Sequence, residues 1–102
     1  MITITFDRKE LSMMAKGHAR AARNEYGHDL VCCATSTLMH AYAYAGMRSG
    51  HIMELQMDKG DMIARVDPDT TPSQAMQNIY DGYVMGLRML AESYPEHVRI
   101  ID

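Results

Sequence analysis

The segment from residue 53 to residue 66 constrains the fold more than any other part of the chain, because its pattern predicts a β-hairpin. Apolar and polar residues alternate on both sides of a polar turn, and the apolar set is Met53, Leu55, Met57, Met62, Ala64 and Val66. Strict alternation is typical of strands that bury one face. The turn Asp58-Lys59-Gly60-Asp61 contains the Asp and Gly residues that such connections favour.

Three other segments predict strands. Residues 2–6 alternate cleanly, with Ile and Phe on one face and Thr on the other. Residues 11–15 are predicted to return beside this strand, and residues 97–101 are predicted to form the last strand. Between them, residues 17–29 are rich in Gly, Asn, Arg and His, which predicts a loop.

Two segments predict helices. Residues 30–48 lack proline and are rich in Ala, Leu and Met, and apolar residues occur almost all round, so we expect a well-buried helix. The second helix begins at Thr71-Pro72-Ser73-Gln74, where Thr71 is the predicted N-cap, and it ends before Pro95. Its apolar stripe consists of Met76, Ile79, Tyr83, Leu87, Leu90 and Tyr94.

These elements follow one another in the order β-β-α-β-β-α-β. Strands that arrive partly as hairpins favour a mixed or largely antiparallel sheet of about five strands, covered on one face by the helices. We therefore expect a single small α+β domain over residues 1–102.

Charge and apolar content limit the possible functions. The net charge of −3 gives no reason to expect nucleic acid as a direct ligand, since phosphate binding needs a surplus of Lys and Arg. No apolar run reaches the roughly 18 residues of a membrane span, and the N-terminus lacks a signal-peptide pattern. We therefore expect a cytoplasmic protein.

Its two cysteines are adjacent and could bridge only through a strained ring, so both are predicted to be free thiols.

Cys32 is the clearest candidate for a reactive residue in the sequence. If Asp29 is the N-cap of the first helix, Cys32 lies in the first turn, where unpaired N–H groups and the helix dipole favour a thiolate. A thiolate is a nucleophile, and a nearby imidazole would accept its proton. Cys33 points about 100° away and is expected in the core. Ser36, one turn after Cys32, has a plain structural alternative, in which it bonds back to the helix backbone.

Three histidines are candidate bases. His40 lies about 12 Å beyond Cys32 along the helix axis, which is too far. His28 is close to Cys32 in sequence, and His18 follows Gly17 at a strand-to-loop corner. Spacing alone leaves both open.

Other interpretations of the cysteines compete with catalysis. A cysteine in a helix is most often a small buried residue. A zinc site made by His18, His28, Cys32 and Cys33 is disfavoured because adjacent cysteines chelate one tetrahedral ion poorly. A thiol redox sensor that uses both cysteines is a further alternative. The sequence suggests no cofactor.

The sequence resembles a known family along its whole length, more loosely in the middle. Gly17-His18-Ala19, the run Tyr26-Gly27-His28-Asp29-Leu30-Val31-Cys32, and then Ala34 and Ser36 are similar to the signature of the ribosomal-processing cysteine protease family, Prp. The opening strand and the ending from Gly86 to Ile100 are similar as well.

The resemblance implies a cysteine endopeptidase with Cys32 as nucleophile and His18 as base, accompanied by Gly17, Asp29 and Ser36. Members of the family remove a short N-terminal extension from protein twenty-seven of the large ribosomal subunit, and phage-encoded relatives trim capsid or scaffold proteins. The resemblance also implies a homodimer. A non-catalytic ribosome- or capsid-associated binding module of the same fold is the alternative.

Two further expectations follow from a peptidase mechanism. Backbone N–H groups around the two cysteines are predicted to bind the oxyanion. Residues 19–28, with Arg20, Arg23 and Tyr26, are predicted to form a substrate loop that orders on peptide binding. Its few large apolar side chains offset too little of an ordering entropy of roughly 1–2 kcal/mol per residue.

Overall fold

The computed structural model describes residues 1–17, 25–58, 60–69 and 71–101, with the backbone alone described at 25–29. The chain forms strands β1 and β2, helix α1, strands β3 and β4, helix α2 and strand β5. Their bounds, in that order, are Ile2–Asp7, Ser12–Lys16, Glu25–Arg48, Met53–Asp58, Asp61–Val66, Gln74–Ser93 and Val98–Ile101. The predicted α+β class and element order are confirmed.

The strands form one five-stranded sheet in the order β3-β4-β2-β1-β5. Neighbouring strands are antiparallel except β1 and β5, which run parallel, so the sheet is mixed. In the predicted hairpin, Met57 lies opposite Met62 and Asp58 lies opposite Asp61. Strand β2 is central, with β1 on one side and β4 on the other.

The core lies between one face of the sheet and the two helices. The strands contribute most of the apolar positions that alternation predicts, and Met57, which is 59% exposed, is an exception. The buried set is Ile2, Ile4, Met13, Ala15, Met62, Ala64, Val66 and Val98. The helices meet them with Val31, Met39, Tyr42, Met76, Tyr80 and Leu87. Full burial of one such large aliphatic side chain contributes about 1.5–3 kcal/mol, so this layer stabilises the fold strongly.

Two tyrosines attach both helices to the start of β2. The Tyr42 hydroxyl of α1 donates to the carbonyl oxygen of Leu11, and the Tyr80 hydroxyl of α2 donates to that of Ser12 at 2.8 Å. The two rings meet edge to face with centroids 5.6 Å apart. Leu11 has a positive φ of 49°, so the hydrogen bond from Tyr42 holds a backbone conformation that leucine rarely adopts.

Helix α1 begins earlier than predicted. Residues 25–29, predicted as part of a loop, belong to α1, which starts at Glu25 instead of Leu30. Gly27 misled the prediction, since glycine costs about 1 kcal/mol in a helix interior. That cost is small beside the packing of a 24-residue helix on the sheet.

Two smaller predictions about the helices were also wrong. The N-cap of α2 is Ser73, not Thr71, and its side chain accepts from the Met76 N–H at 3.1 Å. Helix α1 is not buried all round, because its outer side exposes Leu30 and Tyr44.

Among the described residues, no helix is long and apolar enough to span a bilayer.

Candidate active site

A pocket of about 160 Å³ lies between the N-terminal half of α1 and the sheet. Helix α1 lines it with Cys32, Thr35 and Ser36. The strands and the β3–β4 turn complete it with Ile2, Ala15, Gly17, Met57, Asp58, Gly60, Asp61 and Met62. A cavity of about 150 Å³ holds a benzene molecule, so this pocket accepts one side chain of moderate size.

The antiparallel course of α1 and β2 brings Cys32 to Gly17. At one end, Tyr42 binds the carbonyl of Leu11. Cys32 precedes Tyr42 by about 15 Å of helix at 1.5 Å per residue. Gly17 follows Leu11 by about 20 Å of strand at 3.3 Å per residue. The two paths have similar lengths, and both residues line the same pocket.

Cys32 lies inside α1 and not at its start. The helix begins at Glu25, so Cys32 is about two turns from the N-terminus. Asp29 is likewise a residue of the helix interior, and its predicted role as the N-cap was wrong. The predicted contribution of the helix end to a Cys32 thiolate was therefore also wrong, because the dipole effect falls off within the first turn.

The same shift removes the predicted oxyanion donors. Only the first four N–H groups of a helix lack a partner inside it. The N–H groups of Cys32 and Cys33 lie beyond that turn and donate to carbonyl oxygens of the preceding one. They are not available to a ligand, so an oxyanion donor must come from another group in the pocket.

Gly17 occupies a position that only glycine tolerates. Its φ is +94°, and a Cβ atom there would lie 2.5 Å from the carbonyl oxygen of Met1. Its N–H donates to the carbonyl oxygen of Gly60 at 2.7 Å. The end of β2 is thereby joined to the β3–β4 turn, and both line the pocket.

Thr35 and Ser36 use their hydroxyl groups differently. The buried Thr35 Oγ1 donates to the Val31 carbonyl oxygen at 2.8 Å, which commits its proton to the helix backbone. The half-buried Ser36 Oγ lies 3.3 Å from Nδ1 of His40. The hydrogen bond back to the helix backbone, which was the structural alternative for Ser36, is therefore made by Thr35 and not by Ser36.

Cys33 lies on the opposite side of the helix from the core, against the prediction. Its side chain is exposed, and its Sγ lies 3.9 Å from Oγ1 of Thr37, whereas Cys32 is half-buried in the pocket. Consecutive helical residues diverge by about 100°, and here the pocket takes only the first of the two thiols. This divergence also disfavours a zinc site or a coupled dithiol built from both cysteines.

Several predicted site residues lie outside the described part of the chain. His18, Arg20 and Arg23 are among them. Tyr26 and Asp29 belong to α1, but only their backbone is described. The structure therefore places Gly17, Cys32 and Ser36 of the predicted site together and leaves the predicted base and substrate loop as proposals.

Sequence reasoning missed the wall that the hairpin contributes. Met57 and Met62 face each other across the β3–β4 ladder, and Asp58 and Asp61 stand at its end beside the pocket. Alternation identified both methionines as apolar-face residues, but it gave no sign that this end of the hairpin meets α1. Both carboxylate-bearing residues give this part of the pocket a polar rim.

Fold and site together define a small α+β protein that presents one half-buried thiol in a groove between a helix and a sheet, an arrangement suited to cysteine-based hydrolysis. The sequence profile described as cysteine protease Prp matches residues 1–99. The chain belongs to the cysteine protease Prp family and is a cysteine protease.

Solved structures support the assignment. The essential ribosomal processing protease Prp from S. aureus, covalently linked to a product peptide, is 25% identical, with 98% of this chain and 97% of that chain covered and a TM-score of 0.76. The protein SMU.848 from Streptococcus mutans is 28% identical, with 98% and 91% covered and a TM-score of 0.73. The S. aureus protease with a substrate peptide matches at 22% identity, 98% and 95% coverage and a TM-score of 0.74, which shows the shared fold. No curated protein sequence matches significantly.

Proposed function

We propose that this protein is an endopeptidase with Cys32 as its nucleophile and His18 as its general base. One observation carries the proposal: Cys32 and Gly17 line the same pocket, and Gly17 directly precedes His18 in the chain. The proposed base is therefore the next residue in the sequence after one that lines the pocket. The Gly-His-Ala and Asp-Leu-Val-Cys motifs of the Prp resemblance point to the same two residues.

In the proposed reaction, His18 takes the proton from the Cys32 thiol as the sulfur attacks the scissile carbonyl carbon. The carbonyl double bond opens to an oxyanion, which then collapses as the C–N bond breaks. His18 returns the proton to the leaving amine, and the acyl group stays on Cys32 as a thioester. A water molecule, deprotonated by His18, hydrolyses the thioester and restores the thiol.

His28 is the alternative base. It lies one helical turn before Cys32, because α1 extends back to Glu25. Residues four apart on a helix are neighbours, so this position is closer to Cys32 than the predicted loop implied. We favour His18 because it belongs to the Gly-His-Ala motif and directly follows Gly17, which lines the pocket.

Ser36 is the proposed donor to the oxyanion. It lies one turn after Cys32 and lines the same pocket. Among the described side chains of the pocket, Thr35 and Ser36 are the hydroxyl donors, and the proton of Thr35 is committed to Val31. A donor about 3 Å from a developing oxyanion typically contributes about 10²–10³-fold in kcat.

We further propose that the substrate is ribosomal protein twenty-seven with a short N-terminal extension. The similar S. aureus protein is a ribosomal processing protease captured with peptides, and a pocket that holds one moderate side chain beside the thiol suits an extended peptide. Capsid or scaffold proteins of a phage are the other candidate substrates. The action on a ribosomal precursor would take place in the cytoplasm.

The test is incubation of the purified protein with the ribosomal precursor, followed by mass spectrometry of the intact product. We expect one cut that removes the extension, abolished in Cys32→Ala and retained in Cys33→Ala. A phage capsid or scaffold precursor is treated in parallel. Absence of cleavage, or cleavage that persists in Cys32→Ala, would contradict the proposal, and selective cleavage of the phage protein would reassign the substrate.

The proposed assembly is a homodimer. The proposed substrate loop carries Arg20 and Arg23, and Tyr26 follows it in the first turn of α1. The dimer is supported by large apolar side chains that stay exposed on the two helices, namely Leu30, Tyr44, Met85 and Met89. The loop is supported by its position in the sequence between Gly17 and Cys32, which line opposite sides of the pocket. Hydrogen exchange of Cys32→Ser protein, with and without an uncleaved peptide, tests whether residues 19–24, which precede α1, gain protection.

A further inference from the structure

His40 lies one turn beyond Ser36 on the flank of α1 that carries Cys32. Its Nδ1 is 2.8 Å from the carbonyl oxygen of Ser36 and 3.3 Å from the Ser36 Oγ. The ring is half-buried and has the Tyr44 ring beside it, with centroids 6.3 Å apart. Cys32 on this flank packs against the core, whereas Leu38, on another side of the helix, packs toward Gly86 of α2.

The acceptor fixes where the proton of His40 resides. A carbonyl oxygen can only accept, so Nδ1 must carry a hydrogen to make the 2.8 Å contact. Nδ1 then has no lone pair, and the Ser36 Oγ at 3.3 Å can only accept from it. This holds for the neutral tautomer with its hydrogen on Nδ1, which the carbonyl oxygen selects, and for protonated His40, because both carry the Nδ1 hydrogen. The Ser36 hydroxyl proton is therefore left for another acceptor.

A helical serine without such a neighbour commonly makes a different hydrogen bond. Its hydroxyl commonly donates to the carbonyl oxygen four residues earlier, which for Ser36 is that of Cys32. Thr35 shows this arrangement in the same turn, with its Oγ1 bound to Val31. Within the described part of the chain, the hydrogen-bonding contact of the Ser36 Oγ is with His40.

We propose that His40 is a positioning residue that holds the Ser36 hydroxyl away from the helix backbone. The Ser36 proton is thereby directed to the carbonyl oxygen of a peptide attacked by Cys32. This inference rests on the proposed peptidase function. It also excludes a Ser36–His40 nucleophilic dyad, because Nδ1 cannot accept the serine proton while it donates to a carbonyl oxygen.

The test is a double-mutant cycle on peptide cleavage, with kcat and KM measured separately. His40→Ala should lower kcat by about tenfold with little change in KM, which is less than the loss of about 10²–10³-fold expected for removing an oxyanion donor in Ser36→Ala. In the Ser36→Ala background, His40→Ala should have no further effect. His40→Asn, which keeps an N–H donor close to the place of Nδ1, should restore most of kcat.

Thr37→Ala on the exposed side of the same helix is the matched control and should leave kcat unchanged. Thermal melting establishes that each variant is folded, and ¹⁵N NMR should show a protonated Nδ1 at His40. Equal losses from His40→Ala in both backgrounds, no loss in either, or an unprotonated Nδ1 would each overturn the inference. A wild-type protein that cleaves no peptide would instead refute the peptidase proposal, and this inference with it.

Discussion

The N–H of Gly17 donates to the carbonyl oxygen of Gly60 at 2.7 Å and joins two walls of the Cys32 pocket. Gly17 directly follows the central strand β2, and Gly60 lies in the turn between β3 and β4. The bond continues the β2–β4 ladder past its last pair, Lys16 opposite Asp61. The point where the chain leaves the sheet toward His18 is therefore held by the hairpin.

Gly17→Ala should destabilise the protein and impair cleavage. A residue with Cβ costs about 1–2 kcal/mol in a left-handed conformation, and here the Cβ would also meet the Met1 carbonyl oxygen at 2.5 Å. Relief requires the backbone around the pocket to move. Gly82→Ala in α2 is the matched control, since its Cβ meets nothing within 4 Å, and it should stabilise the helix by up to about 1 kcal/mol. Urea unfolding and cleavage rates measure both, and equal behaviour of the two variants would contradict this account.

Cys32 should be alkylated faster than Cys33 in the folded protein. Exposure alone predicts the opposite order, because Cys33 is exposed and Cys32 is half-buried. Faster reaction at Cys32 would therefore show activation by a neighbouring base. Iodoacetamide labelling followed by peptide mass spectrometry measures both rates, and the same labelling after urea unfolding is the control. Faster labelling of Cys33 in the folded state would count against Cys32 as the nucleophile.

His18→Ala should abolish turnover, whereas His28→Ala should retain much of it. The reason is the proposed proton transfer between His18 and Cys32, a step that typically contributes about 10²–10⁴-fold. Steady-state cleavage of the same peptide by both variants decides the matter. The reverse pattern would move the base to His28, whose place in α1 one turn before Cys32 makes it the alternative.

Tyr42→Phe should lower the free energy of unfolding by about 1–3 kcal/mol. The substitution keeps the ring but removes the donor to the carbonyl oxygen of Leu11, a residue that is 2% exposed. Tyr44→Phe, on the exposed side of the same helix at 56% exposure, is the control and should change stability by less than about 0.5 kcal/mol. Urea unfolding checks both, and similar losses in the two variants would contradict this role of the hydroxyl.

The free energy of unfolding should fall at alkaline pH because of the buried Tyr80. Burial is the largest cause that raises the pKa of Tyr80 from 10.0 to about 12. Between these two pKa values Tyr80 keeps its hydroxyl proton in the folded state but has lost it in the unfolded state. The stabilisation is therefore complete below pH 10 and is lost as pH rises toward 12. Tyr80→Phe should flatten this part of the curve of unfolding free energy against pH. An unchanged slope would show that Tyr80 is not responsible.

Light scattering should give the mass of a dimer at micromolar concentration. Large apolar side chains remain exposed on the helices, with Met85 at 59% and Met89 at 60%, and contiguous exposed apolar area favours association. A monomer at this concentration would refute the proposed assembly without affecting the assignment to the family.

Local patterns were sufficient for most of the fold. The hairpin 53–66 was predicted from alternation and a turn of Asp and Gly, because a strand that buries one face must alternate whatever lies against it. The end of α2 before Pro95 was similarly local. The start of α1 could not be predicted from the local pattern. Gly27 disfavours a helix at that point, and the packing of the whole helix outweighs the cost of this glycine.

The sequence by itself determined the residue types of the site: the Gly-His-Ala and Asp-Leu-Val-Cys motifs select Gly17 and Cys32, and alternation gives Met57 and Met62 an apolar face. Only the tertiary structure decided which of them meet. The antiparallel course of α1 and β2, anchored where Tyr42 and Tyr80 bind the start of β2, brings Cys32 to Gly17 and to the hairpin turn. Tertiary structure also decided the helix register, which turns Cys32 into the pocket and Cys33 toward solvent. These features depend on contacts between segments far apart in the chain, and local periodicity carries no information about such contacts.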